Sequence, residues 1–218
     1  DGYIVDRDTF ASLLPNYAIY GDALYKVPSG PTLKPMKVYS PNYHYNWAGV
    51  DAPAHTSLVL EKLGFQIVNT PEEADVVILE SNRFDASIFG KKPTLVIGGE
   101  AMQKLEKLGV LAGFDAEKLK GGSDYEGLMK AIIDDQDPLT SGYKKNELFY
   151  SNSGNWIEKV PSNFKTLMSI ASNDYYIAGW WPKNEVLANK VMAISGELLG
   201  QPLFVYAGNP TNRQHPVH

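Results

Sequence analysis

The most informative segment of this chain is Thr94-Leu95-Val96-Ile97-Gly98-Gly99-Glu100-Ala101-Met102-Gln103. Its first four residues have the apolar and β-branched character of a buried strand, and apolar side chains recur at helical spacing from residue 100 to 108. Because two glycines stand between these patterns, the strand is predicted to run directly into a helix through a tight turn. Such a turn lies at the carboxyl end of a sheet, over a helix N-terminus. We therefore predict ligand-binding positions at Gly98, Gly99 and Glu100.

Strands and helices alternate on the amino-terminal side of this segment. Strands are predicted at 36–40, 65–69, 75–80 and 93–98, and a helix closed by a glycine cap at 56–64. The last two strands are continuous apolar runs, which is typical of strands buried on both faces. Strands of this kind separated by helices indicate a parallel sheet flanked by helices in an α/β fold.

The pattern changes after about residue 145. Short strand candidates follow at 148–150, 164–170, 175–181, 190–194 and 202–206. The last two flank a predicted turn over 196–201 and indicate an antiparallel hairpin. We expect one domain over 36–218, with residues 1–35 as an N-terminal arm.

Composition excludes several classes of function. The 218 residues carry a net charge of −5, which argues against a nucleic-acid or anionic membrane surface. No apolar run has the length of a transmembrane helix. Because the chain has no cysteine, it has no disulfide, thiolate metal site or cysteine nucleophile. The 13 tyrosines against 8 phenylalanines and the start at Asp1 favour a secreted or cell-surface bacterial protein that has lost an upstream signal segment or domain.

The order of these elements resembles the class I glutamine amidotransferase fold, a flavodoxin-like parallel sheet flanked by helices, here with antiparallel additions in the second half. In that family the strand–turn–helix carries a cysteine, and a later His-Pro-Glu segment completes a catalytic triad. The resemblance places Glu100 at the nucleophile position, Asn209 at the histidine and Thr211 at the acid. It therefore implies that thioester chemistry on glutamine has no route in this chain.

A closer resemblance is to the degenerate amidotransferase-like domain at the C-terminal end of some secreted bacterial zinc carboxypeptidases. The matching pieces are 38–47, 58–65, 98–99, 137–143, 177–181 and 208–213. The carboxypeptidase motif His-x-x-Glu is missing, since Trp47 stands three residues after His44 and Leu58 three after His55. The resemblance implies a non-catalytic accessory domain, with any peptidase centre in another part of a parent protein.

Two carboxylates are expected at the carboxyl edge of the sheet. Glu80 ends a predicted strand, and Glu100 begins a predicted helix. They are candidates for an acid/base pair or a cation site. The alternative is that Glu100 complements the helix dipole and Glu80 is a polar residue in a wet crevice.

The segment after the first strand is predicted to be a polar, aromatic loop over 41–53. Its residues Tyr43, His44, Asn46 and Trp47 offer aromatic faces and amide donors beyond a strand end, which suits sugars or peptides. Packing of these aromatics on the sheet edge is the alternative. We predict a binding function, with peptide, glycan or an adjacent domain as the partner. A hydrolase using Glu80, Glu100 and His44, or a structural spacer, remains open.

Other features carry weaker predictions. Asp51 and His55 have i, i+4 spacing, but Pro53 interrupts the helix between them, so no metal site and no cofactor are expected. At least one tryptophan of Trp180-Trp181 is predicted to be in the core.

Overall fold

The computed structural model describes residues 36–41, 44–47, 50–53, 55–118, 125–151 and 154–209; the predicted arm over 1–35 lies outside them. The strands are β1 (Lys37–Tyr39), β2 (His44–Trp47), β3 (Val50–Pro53), β4 (Gln66–Val68), β5 (Val76–Leu79), β6 (Thr94–Ile97), β7 (Asp115–Lys118), β8 (Glu126–Ile133), β9 (Asn146–Ser151), β10 (Asn155–Lys159), β11 (Lys165–Ile170), β12 (Tyr176–Trp180), β13 (Val191–Leu198) and β14 (Gln201–Tyr206). The α-helices are α1 (His55–Lys62) and α2 (Gly99–Leu108), and 3₁₀ turns occur at Ala86–Ile88, Pro138–Thr140 and Asn184–Leu187.

Twelve of the strands form one mixed sheet in the order β12-β8-β11-β13-β14-β6-β5-β1-β4, with β9 beside β8, β10 beside β13 and β7 beside β10. The five strands from β14 to β4 are parallel to one another. The remaining pairs of this sheet are antiparallel. Numbered along the chain, the parallel strands have the order 2-1-3-4-5, which is one of the two common orders of doubly wound sheets.

Helices cover both faces of this parallel half. Leu79 of β5 belongs to the larger core cluster together with Met102 of α2. Its neighbour Ile78 points to the other face and belongs to a second cluster, against which Leu60 of α1 packs. The antiparallel half is built of strands, and the described residues contain only two α-helices in all. The prediction of a sheet flanked by helices is therefore confirmed for the parallel half only.

The described residues of the predicted loop over 41–53 are mostly strand. Residues 44–47 and 50–53 form the two-stranded antiparallel sheet β2–β3, in which His44 pairs with Pro53 and Trp47 with Val50. The loop prediction is wrong because a segment of amides and aromatics shows no apolar alternation, while strand pairing depends on backbone hydrogen bonds.

The predicted hairpin near the C-terminus is confirmed, but its turn is shorter than expected. Gly196 pairs with Leu203 and Glu197 with Pro202, so both strands extend into the predicted turn over 196–201. Only Leu199 and Gly200 remain between the strands, with φ of 53° and 76°. Two positive φ values are the signature of a type I′ turn, which matches the twist of the flanking strands.

The strand β8 organises the antiparallel half, although the sequence patterns assign no element there. It pairs with β9 on one side and with β11 and β12 on the other. Its residues Met129, Ala131 and Ile133 are buried, whereas Ile132 is exposed. The core position of one tryptophan is confirmed, since Trp181 is buried below this sheet while Trp180 is exposed.

Candidate functional site

The strand order reverses between β1 and β5. From β1 the chain goes to β4 on one side and then to β5 on the other. Ligands of open α/β sheets bind beyond the carboxyl ends of the two strands at such a reversal. Ser40 follows β1 directly, and Glu80 follows β5 directly. We call this place the switch-point crevice and define it by Ser40, Glu80 and Thr56 of α1.

Hydrogen bonds in the switch-point crevice are incomplete. The hydroxyl Oγ1 of Thr56, a buried residue in the first turn of α1, donates to Oε2 of Glu80. Within the described residues, the buried oxygens Oε1 of Glu80 and Oγ of Ser40 have no hydrogen-bond partner. Each buried unpaired polar atom costs about 1–3 kcal/mol. A donor on a ligand that reached these oxygens would offset that cost.

Burial also changes the acidity of Glu80. Loss of solvation raises its pKa above the ordinary glutamate value, and the hydrogen bond from Thr56 opposes part of that rise. Nucleotide-binding α/β folds hold phosphate at the N-terminus of the first helix, where backbone N–H groups favour an anion. Here the Thr56 hydroxyl, in the first turn of α1, donates a hydrogen bond to the carboxyl of Glu80. The arrangement therefore favours a ligand with a hydroxyl or amine donor over a phosphate.

The turn between β6 and α2 carries no side chain. Gly98 has φ of 83° and ψ of 158°, and its N–H donates to the carbonyl of Tyr206 at 2.9 Å. This left-handed φ is the reason for glycine at 98, because a Cβ there would meet no atom within 4 Å. Glu100 is the second residue of α2 and is exposed. The residue at the turn is thus Gly98, and Glu100 lies on the helix beyond it.

Asn155 of β10 packs against the first residue of α2. A Cβ on Gly99 would lie 2.2 Å from Cγ of Asn155, so only glycine leaves room for this carboxamide. Asn155 is only 4% exposed, and within the described residues its Oδ1 has no hydrogen-bond partner. Its position depends on β10 crossing to α2, so the sequence offered no pattern that predicted it.

Asn209 lies near the same edge of the sheet. It follows β14, which runs parallel to β6 with Tyr206 opposite Ile97. Gly98 follows β6, so Asn209 and the α2 turn both extend beyond neighbouring carboxyl ends. The structure thus places Asn209 and the α2 turn after neighbouring parallel strands.

Several predicted site residues fall outside the described part of the chain. Tyr43 is one of them, as are the side chains of His44, Asn46 and Trp47, whose backbone forms β2. The side chains of Asp51 and His55 are outside it as well; their backbones belong to β3 and α1. Binding by these residues therefore stays a prediction.

The two carboxylates differ in burial and in hydrogen bonding. Glu80 is largely buried and bonds to Thr56, whereas Glu100, also a described residue, is exposed and has no hydrogen bond to Glu80. Across the described ranges, no three His, Asp or Glu side chains are placed to hold a metal ion. The helices of those ranges include none with the length and apolar character needed to cross a membrane.

Comparisons with known proteins bear on the fold. No family model and no curated protein matches the sequence. PurLQS from Thermotoga maritima superposes with a TM-score of 0.55 at 15% identity, covering 84% of this chain and 91% of that chain. A protein from Thermoplasma acidophilum described as a GMP synthase component gives 0.52 at 14% identity, over 82% and 86%. A glutamine amidotransferase from Thermotoga maritima gives 0.48 at 9% identity, over 82% and 77%.

Identities this low relate folds and not activities. The two structures with TM-scores above 0.5, PurLQS and the GMP synthase component, have a class I glutamine amidotransferase-like fold. Their superpositions cover more than four fifths of both chains. This chain therefore has a class I glutamine amidotransferase-like fold.

Proposed function

We propose that this chain is a non-catalytic binding domain that uses an amidotransferase-like fold to hold a ligand in the switch-point crevice. One observation carries the proposal. The turn that presents a nucleophile in enzymes of this kind is occupied here by Gly98, which has no side chain, and the chain contains no cysteine.

The crevice offers binding chemistry in place of catalysis. The unpartnered oxygens of Ser40 and Glu80 could accept hydrogen bonds from a ligand. Beside α2, and outside the crevice as defined, the buried carboxamide oxygen of Asn155 is a further unpartnered acceptor. Acceptors of this kind suit the amines and hydroxyls of a peptide, a glycan or an adjacent protein domain. The predicted binding residues of the β2–β3 sheet and Asn209 would complete such a site.

The proposed context is an exported bacterial protein, with a zinc carboxypeptidase as the parent. Support comes from the sequence pieces that resemble the degenerate domain of those enzymes. One of them, residues 137–143, has a structural role here: the Asp137 carboxylate accepts from the N–H of Leu139 at 2.9 Å and pairs with Lys165 at 3.0 Å. The coding sequence upstream of Asp1 tests the context, and an upstream domain without a His-x-x-Glu motif would contradict it.

Ligand binding and glutaminase activity can be measured on the same protein. We expect no ammonia release from glutamine. A thermal-shift screen with short peptides and monosaccharides should give a ligand whose affinity falls about tenfold or more, or about 1.4 kcal/mol, in Ser40→Ala. The matched control is Ser87→Ala at an exposed serine. Ammonia release, or equal affinity in both variants, would contradict the proposal.

A hydrolase is the second candidate, because Glu80 has the raised pKa and the buried, unpaired oxygen expected of a general acid. If the chain is a hydrolase, it should turn over chromogenic esters, glycosides or peptide amides, and Glu80→Gln should abolish this turnover. Turnover with this dependence, in a variant that keeps its fold, would replace the binding proposal with an enzyme.

A further inference from the structure

The antiparallel half contains a cavity that is separate from the switch-point crevice. Its volume is about 600 Å³, which is in the range of small-ligand sites. It opens where β8, β9 and β11 meet, and one wall is formed by residues 171–174 and Asn189. All of its lining residues belong to the described part of the chain.

The floor of the cavity is the outer face of the sheet. Lys130 of β8 pairs with Leu148 of β9, and Ile132 pairs with Asn146. Residues directly opposite in an antiparallel pair project to the same face, so these four side chains share one surface. The intervening Ala131 is buried and faces the core. The floor is therefore apolar at Ile132 and Leu148 and polar at its ends.

The rest of the lining is polar, and its charged residues are Lys130, Asp174 and Glu147. Hydroxyls and amides come from Ser169, Ser172, Asn146, Asn173 and Asn189. Lys130 is the only basic side chain in the lining, and its Nζ lies 2.7 Å from Oδ2 of Asp174. Because that ammonium is already paired, the cavity offers no free cation to a phosphate or carboxylate. Hydroxyl and amide groups instead match a neutral ligand rich in hydroxyls.

Two lining residues have an unusual backbone. Asp174 has φ of 48° and Asn189 has φ of 61°, and non-glycine residues seldom adopt these left-handed values. Asp and Asn tolerate this conformation better than other side chains. Strained backbone of this kind clusters at binding sites, where the surrounding structure fixes it.

Exposed aromatic rings continue the same face away from the cavity. Tyr150 of β9 lies opposite Leu128 and is 41% exposed, and its hydroxyl donates to Glu126. Trp180 of β12 lies opposite Glu126 and is 60% exposed. An edge contact with Tyr125, at 5.3 Å between ring centroids, supports the Trp180 ring. Seven residues of β8, from Glu126 to Ile132, connect the aromatic end to the cavity, a span of roughly 20 Å.

We propose that this outer face binds a neutral oligosaccharide, with sugar rings on Trp180 and Tyr150 and the hydroxyls of a further sugar in the cavity. Flat aromatic faces pack against the C–H face of a sugar ring, while amides and paired charges bond its hydroxyls. The proposal is independent of the switch-point crevice, since it uses different strands and no residue of that site.

Isothermal titration calorimetry with hexaoses of N-acetylglucosamine, glucose and mannose tests the proposal. We expect at least one hexaose to bind the unaltered protein. Trp180→Ala and Asn173→Ala should each weaken that affinity about tenfold or more, or about 1.4 kcal/mol. The matched controls Leu63→Ala and Asn82→Ala change exposed residues elsewhere and should bind as the unaltered protein does. Circular dichroism of each variant would establish that the fold is retained.

Three outcomes would overturn the proposal. The first is that none of the hexaoses binds at millimolar concentration. The second is equal binding by the Trp180 and Asn173 variants and their controls. The third is that a pool of unstructured peptides binds this face with the same variant dependence, or that the chain dimerises through it in light scattering, because either occupant would replace the oligosaccharide.

Discussion

The parallel and antiparallel halves of the sheet differ in how they bury consecutive residues. In β5, Ile78 is 6% exposed and Leu79 is not exposed at all. In β8, Ile133 is 5% exposed but Ile132 is 38% exposed. The parallel half has packed helices on both faces, whereas β8 has the core on one face only. In the parallel half the accessible edge of the sheet is therefore at the strand ends, while within the described residues the antiparallel half also presents the outer face of β8, on which Ile132 is exposed.

The strand β14 joins the two halves. It is antiparallel to β13 and parallel to β6, and both pairings extend over most of its length. The tight turn at Leu199–Gly200 fixes the register with β13, and the register with β6 places Tyr206 beside the α2 turn. The two halves are therefore one continuous sheet through this strand.

Truncation of neighbouring core residues should give the largest effects. In the parallel half, Ile78→Ala and Leu79→Ala should each lower the free energy of unfolding by about 2–5 kcal/mol, because each side chain is buried. In the antiparallel half, Ile133→Ala should cost as much, while Ile132→Ala should cost under about 1 kcal/mol. Urea unfolding of the four variants measures the difference. Equal costs at Ile132 and Ile133 would show that both faces of β8 are covered.

The contact between α2 and β10 predicts a smaller, conditional effect. Gly99→Ala should destabilise by about 1–3 kcal/mol, because the added Cβ would overlap the Asn155 carboxamide. In an Asn155→Ala background the same change should be neutral or slightly stabilising, since alanine favours a helix. A double-mutant cycle in urea measures this coupling.

Gly98→Ala is the matched control for that cycle. Its penalty comes from the positive φ and not from Asn155, so it should be the same in both backgrounds. If the cost of Gly99→Ala is likewise unchanged by removal of Asn155, the packing at the start of α2 differs from the one described.

The smallest predicted effect is the pH dependence contributed by Glu80. Because burial raises its pKa, the folded state holds this proton more tightly than the unfolded state. The contribution of Glu80 to the free energy of unfolding is most favourable below the ordinary glutamate pKa of about 4.3. It falls as the pH rises through the higher pKa that Glu80 has in the folded state. Glu80→Gln should therefore gain stability relative to the unaltered protein as the pH rises above the ordinary glutamate pKa of about 4.3.

Asp174→Asn provides a control of opposite sign. The hydrogen bond from Lys130 holds the pKa of Asp174 below its usual range, so its stabilisation is present at neutral pH and lost on acidification. Asn also tolerates the positive φ at this position. Relative to the unaltered protein, the free energy of unfolding of Glu80→Gln should rise with pH and that of Asp174→Asn should fall. If the two differences changed with pH in the same direction, the assignment of Glu80 as a buried carboxyl would be contradicted.

The parallel strands were the most predictable part of the fold. The runs 75–80 and 93–98 predicted β5 and β6 to within two residues, because strands covered on both faces show as continuous apolar runs. β8 gave no such pattern, since it contains Gly127 and the helix formers Leu128, Met129 and Lys130. Three neighbouring strands stabilise it, and those contacts are distant in sequence.

The candidate site was predictable only where a strand end marks it. Glu80 and the Gly98–Gly99 turn follow apolar runs, so their place at the sheet edge follows from local pattern. Thr56 and Asn155 come from a helix and a strand that reach this edge through tertiary packing. No spacing rule connects residues 56, 80, 99 and 155.

The sequence by itself determined the parallel strands, the glycine turn and the exclusion of cysteine chemistry, because each depends on residue type and local order. The tertiary structure alone decided that Glu80 is buried against Thr56, that Asn155 packs on Gly99 and that Ile132 of β8 is exposed. These features arise from backbone pairing and packing between distant segments, and burial rather than residue type sets the pKa of Glu80.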